Sequence, residues 1–175
     1  IVCVLTMVYV SMTANVKTYV VRVDNATGRV DVGGQLKATN YNPQIAEINY
    51  FLINFVSQIR TIPLDRVLYR NNWSHAQYFL IPAAAQKLNV LTAQENQVEK
   101  LGKYTTQIKI RSIQQSPGAN NTFIVRWSED VYNVSGQQLD ERNFYNAIFT
   151  VLINPPSKEE EIINNPLGLK IADLS

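Results

Sequence analysis

Gly102-Lys103-Tyr104-Thr105-Thr106-Gln107-Ile108-Lys109-Ile110-Arg111-Ser112-Ile113 is where the chain changes period. Ile108 and Ile110 alternate with Gln107, Lys109 and Arg111, the spacing of a strand with one covered and one wet face, because successive strand side chains point to opposite sides. Beyond a loop at 116–121, Phe123, Val125 and Trp127 oppose Arg126 in the same way, and Ser135-Gly136 turns the chain again. From Asn143 to Asn154 both parities are largely apolar, with Phe144, Ile148 and Leu152 against Tyr145, Phe149, Val151 and Ile153. That pattern predicts a central strand covered, at least partly, on both faces. Pro155-Pro156 stops it.

Upstream of Gly102 the period is helical. Asn42-Pro43 reads as a helix start, with Asn42 as cap and Pro43 in the first turn, where a missing donor costs nothing. At 100° per residue, Ile45, Ile48, Leu52, Phe55, Val56 and Ile59 share one arc, which is the expected core face. Phe51 falls on the polar side with Tyr50 at its edge. Burying a Phe is worth roughly 1.5–3 kcal/mol, so these two aromatics call for a cover, either another part of the domain or a partner protein. Pro63 ends this helix. A second runs to about Leu80 with the early Asp65 suited to the positive end of its dipole, and Pro82 forces a break before a third at Ala83 to Leu91. Helices followed by antiparallel strands predict an α+β domain, its helices packed on the concave face of a curved sheet.

The end of the chain is set by Asn165-Pro166-Leu167-Gly168, which has the preferences of a type I β-turn. It follows the acidic run Glu159 to Glu161 and precedes Leu169 to Leu174, an expected last short strand.

The 175 residues, 46% of them apolar, suit one ordinary domain with a short appendage. Sixteen Lys and Arg against fourteen Asp and Glu leave a formal charge of +2, with the basic residues scattered. That balance gives little support to direct nucleic-acid binding. Cys3 is the single cysteine and has no internal partner. Residues 1–12 carry no charge, and the first charge is Lys17. A membrane helix needs roughly 20 apolar residues, so residues 1–16 read as the C-terminal part of a transmembrane helix in contact with lipid, completed by residues ahead of Ile1. Residues 17–40 alternate as an extended arm or β-hairpin, turning at Asp24 to Gly28 and closing at Gly33-Gly34; the compact domain then occupies 41–175.

Helices followed by a curling sheet is also the order of the NTF2-like cone, the fold of nuclear transport factor 2 and its relatives. A closer resemblance lies in the residues. Tyr19-Val20-Val21-Arg22-Val23-Asp24, Gly28 and Val30, Arg70-Asn71-Asn72-Trp73 with Ala76 and Tyr78, Ala147-Ile148-Phe149-Thr150-Val151 with Pro155-Pro156, and Asn165-Pro166-Leu167-Gly168 together resemble the VirB8 family, particularly its TrbF-like conjugation branch. Their order and spacing carry the resemblance more than any one motif. It implies a single-pass protein of the bacterial inner membrane, with its C-terminal domain in the periplasm. It further implies an assembly factor of a type IV secretion system that self-associates and contacts other inner-membrane and periplasmic components. It does not imply an enzyme.

The residues bear on other chemistries. The NTF2-like cone also hosts isomerases that use buried carboxylates, tyrosines or histidines. His75 is the single histidine and its neighbour Ser74 cannot face it on a helix, so no Ser-His pair is built locally. One His and one Cys do not make a usual metal set, and no phosphate-cradling glycine motif occurs. No catalytic residue, cofactor or metal is therefore assigned, although a Tyr and carboxylate pair within the cone remains open as a ligand-binding or isomerase-type alternative. A second alternative is contact with transferring DNA through Lys109, Arg111 and Arg126 on the outward sheet face. The expected protein contacts are Tyr50 and Phe51 on the first helix and the turn Asn165, Pro166, Leu167 and Gly168.

Overall fold

A computed structural model of the chain describes residues 19–23, 30–35, 43–119, 121–139 and 142–175. The expected membrane segment and the boundary near Tyr41 lie outside these residues. No helix among the described residues is long and apolar enough to cross a membrane. In the arm, strands β1 (Tyr19–Val23) and β2 (Val30–Gln35) pair antiparallel, with Val21 opposite Val32 and Val23 opposite Val30.

Helix α1 spans Ile45–Arg60. It starts later than Asn42-Pro43 suggests, because Glu47 reaches back to accept the Gln44 amide hydrogen at 2.9 Å and makes Gln44 the cap. Helix α2 (Arg66–Gln77) is capped by Asp65, whose carboxylate accepts the Val67 amide at 2.7 Å. Helix α3 (Pro82–Gln94) carries Pro82 in its first turn, so the chain breaks between α2 and α3 as Pro82 predicts. A short α4 (Gln97–Lys100), with Asn96 before it at φ 52°, leads into the sheet.

The sheet has the order β3 (Tyr104–Gln115), β4 (Thr122–Asn133), β5 (Asn143–Ile153) and β6 (Leu169–Leu174), all antiparallel, with α5 (Glu159–Asn164) inserted before the last turn. Helices α1 to α3 cover one face, as the α+β reading expects. Leu52, Phe55, Val56 and Ile59 from α1 meet Phe123, Val125 and Trp127 from β4 and Phe149 and Val151 from β5 in one buried cluster. The ring of Phe55 stands edge-on to Phe149 at 5.8 Å. Side chains of β4 alternate about this core, so Arg126 faces away.

Two expectations are corrected. Phe51 is buried at 8% exposure, whereas Ile45, on the expected core arc, is 56% exposed. Helix α1 touches neighbours on two sides, and the second side brings Phe79 against Phe51 at 5.3 Å. Strand β5 is central, but the described residues cover one of its faces. Phe144 is 72% exposed and Ile148 42% on the other.

Candidate functional site

The turn closes as its sequence asks. The Gly168 amide donates to the Asn165 carbonyl at 3.0 Å, and Gly168 adopts φ +63°, a left-handed conformation that favours glycine. Asn165 is buried. Its side-chain amide donates to the Leu169 carbonyl at 2.8 Å and to the Tyr78 carbonyl at 3.3 Å, tying the turn to β6 and to the end of α2. Gly168 leans on the chain after β5, where a Cβ would stand 2.3 Å from the Asn154 carbonyl oxygen. Asn165 and Gly168 therefore build the turn, while Pro166 and Leu167 remain partly open to solvent.

Those open residues form one wall of a cleft of about 310 Å³; the other walls are Tyr50, Phe51, Asn54 and Gln58 of α1, with His75 and Phe79. Two surfaces singled out separately in the sequence, the α1 aromatics and the Asn165 to Gly168 turn, thus share one site. Within it Phe51 is floor, and Tyr50 and Leu167 are partly accessible walls. Ile163 adds an aliphatic rim at 58% exposure. The floor is apolar, from Phe51, Phe79 and Leu169, and the polar groups on the rim are mostly committed. Asn54 donates to the Tyr50 carbonyl at 2.8 Å, and the Gln58 side-chain amide meets His75 Nδ1 at 3.0 Å. Burial lowers the His75 pKa below its usual value and favours the neutral ring. An apolar floor with a satisfied rim suits the side chains of another polypeptide.

The acidic run before the turn is partly engaged within the chain. The Tyr78 hydroxyl donates to Glu160, and Glu161 lies 3.7 Å from Lys170. Charge here stiffens the attachment of α5 and leaves less of it for an outside partner.

A second concavity, of about 800 Å³, opens at the other end of α1. Arg60 donates from Nε to Glu129 at 2.7 Å and from Nη1 to Glu95, while the Trp127 indole donates to the same Glu129 oxygen at 2.7 Å. The Arg60 guanidinium also lies 5.0 Å from the Tyr145 ring, which stacks on Trp127 at 5.8 Å. Burial opposes the Arg60 charge, and its bonds and proximity to Glu129 and Glu95 outweigh this, so its pKa is raised. Tyr145 and Glu129 line the same concavity. Burial pushes the Tyr145 phenol up, and Glu129 already accepts two strong donors, an arrangement that ties α1 to the sheet. Among the described residues no three His, Cys, Asp or Glu side chains gather as a metal site.

Lys109, Arg111 and Arg126 sit on the opposite, outward face of the sheet, away from both concavities. Arg111 is the extra residue of a bulge between Ile110 and Ser112, and the sequence alternation gave no sign of that irregularity.

Solved structures that share this fold include components of type IV secretion machinery. The soluble domain of TrwG, type IV secretion machinery from Bartonella grahamii, superposes with a TM-score of 0.65 at 19% identity, covering 78% of this chain and 95% of that one. VirB8 of Agrobacterium tumefaciens gives 0.62 at 12% identity, covering 77% and 94%. The conjugal transfer protein TrbF of Rhizobium radiobacter is 26% identical over 167 residues, 94% of this chain and 74% of its own length. The model of the VirB8 protein family matches residues 1–175, and the chain belongs to that family of type IV secretion components.

Proposed function

We propose that this protein is a periplasmic scaffold of a conjugation-type secretion system, anchored in the inner membrane by residues 1–16, which self-associates and docks other channel components. The observation that carries the reading is the convergence of the α1 aromatics and the Asn165 to Gly168 turn on one apolar-floored cleft. A cleft of that chemistry, with Tyr50 and Leu167 as walls and Ile163 on its rim, is suited to a protruding side chain of a neighbouring protein. Membrane anchoring confines copies to a plane, so contacts that are weak in solution gain from a high effective concentration.

Charged substitutions on the walls test this, because they spare the buried floor. Tyr50→Arg and Leu167→Arg are expected to retain the native thermal transition, to shift the detergent-extracted protein toward smaller species, and to reduce conjugative transfer at least tenfold. Folded variants that still assemble and transfer like the parent would remove the cleft from the assembly mechanism.

A further inference from the structure

The outward face of β5 shows an apolar stripe. Phe144, Ile148 and Leu152 lie on it at every fourth position with Asn146 and Thr150 between them, a span of roughly 26 Å at the usual strand rise, and Ile124 of β4 stands directly opposite Ile148. Phe144 is 72% and Ile148 42% exposed. The helices occupy the other face, so the described residues leave this stripe without a cover. Large apolar side chains gathered in the open on one sheet face call for a cover.

Charge beside the stripe indicates what the cover is. Arg111 donates to Ser128 at 3.1 Å and holds its guanidinium 5.9 Å from the Phe144 ring. Arg126, opposite Asn146, donates to Gln114 at 2.7 Å, and Lys109 lies across from Ser128. None of these three cations is in an ion pair among the described residues. The carboxylate near them is Asp130, held by Arg142 through two bonds of 2.8 and 2.9 Å.

We infer that the outward sheet face is a docking surface for a different protein, through a segment that lays apolar side chains on Phe144, Ile148 and Ile124 and carries Asp or Glu toward Lys109, Arg111 and Arg126. A second copy set face to face would bring these cations against their own equivalents. Single-stranded DNA fits the cations, but it stacks successive bases on successive rings, and this stripe offers the single ring of Phe144 beside the aliphatic Ile124, Ile148 and Leu152. This surface lies on the face opposite the core and is independent of the cleft.

The test uses the full-length protein in cells with its secretion system assembled. A photoreactive phenylalanine analogue replaces Ile148, and adducts are mapped to the crosslinked peptide by mass spectrometry. The expected adduct is to another protein, within a segment of apolar residues flanked by Asp or Glu. Reversing the rim with K109E, R111E and R126E is expected to cut its yield by roughly three- to tenfold, and placing lysines at the mapped carboxylates is expected to restore it. An adduct to a second copy, an adduct to DNA, no adduct, or a yield indifferent to rim reversal would each overturn the proposal.

Discussion

Gly168 and Asn154 lock the last turn to the end of β5. The Asn154 amide donates to the Gly168 carbonyl at 2.7 Å, and a Cβ on Gly168 would meet the Asn154 carbonyl oxygen at 2.3 Å. A side chain at Gly168 thus faces backbone that cannot move aside, in a conformation that itself costs about 1–2 kcal/mol for other residues. Gly168→Val is expected to lower stability by on the order of 3 kcal/mol or more. An unchanged denaturant midpoint would show that the turn re-forms elsewhere.

Asn165 serves the same turn through its side chain. Asn165→Ala leaves the buried Leu169 carbonyl short of a donor and is expected to cost about 1–3 kcal/mol. Asn165→Asp is expected to cost more at neutral pH, since a carboxylate would face the carbonyls of Leu169 and Tyr78. Thermal unfolding of the pair at pH 7 gives the order directly.

Phe51 and its neighbour Tyr50 separate core from surface within one turn of helix. Phe51→Ala removes a ring packed on Phe55 and Phe79 and is expected to cost about 3–5 kcal/mol. Tyr50→Ala is expected to stay within about 1 kcal/mol of the parent in the isolated molecule. Equal losses would mean that the cleft wall is as structural as its floor.

Arg60 and Glu129 form the buried tie between α1 and the sheet. Arg60→Met alone strands the Glu129 carboxylate and is expected to cost about 3–5 kcal/mol, whereas Arg60→Met with Glu129→Gln is expected to recover much of that loss. A double-mutant cycle that proves additive would contradict the coupling.

His75 predicts a dependence on pH. Its folded pKa is lowered by burial, so protonation favours the unfolded chain. Its neutral form sustains full stability above the unfolded value near 6.5, and stability falls as pH drops through that value toward the lower folded one. The midpoint temperature is expected to decline from pH 7.5 to pH 5 more steeply in the parent than in His75→Asn.

The order of elements was legible because two periods divide the chain cleanly at Gly102, and Pro63, Pro82 and Pro155 mark ends that structure cannot cross. The position of Phe51 was not. A helical wheel assumes a single contact face, whereas α1 is held by the sheet on one side and by Phe79 on another. Glu47 is hidden from a sequence reading for a related reason. As a charge it signals solvent, yet it lies at 3% exposure in a capping role. Both halves of the cleft were visible as local oddities, but their meeting depends on Asn165 bonding to Tyr78 across 87 positions. Partners so remote in sequence leave no periodic trace, and the same holds for Arg60 and Glu129.

The two outer strands of the sheet differ in how far they are finished. Ile171 of β6 donates its amide to the Phe79 carbonyl at 2.7 Å and accepts from the Ile81 amide at 3.1 Å, so the linker between α2 and α3 lies along that strand like a selvedge. At the other border β3 is bridged near its start by Ile62 to Thr106, and further along it carries Lys109 and the bulged Arg111. A molecule trimmed in this way resists strand-by-strand stacking into fibres. The borders of this sheet therefore offer a neighbouring molecule side chains, whose contacts can be made and undone without unravelling the fold.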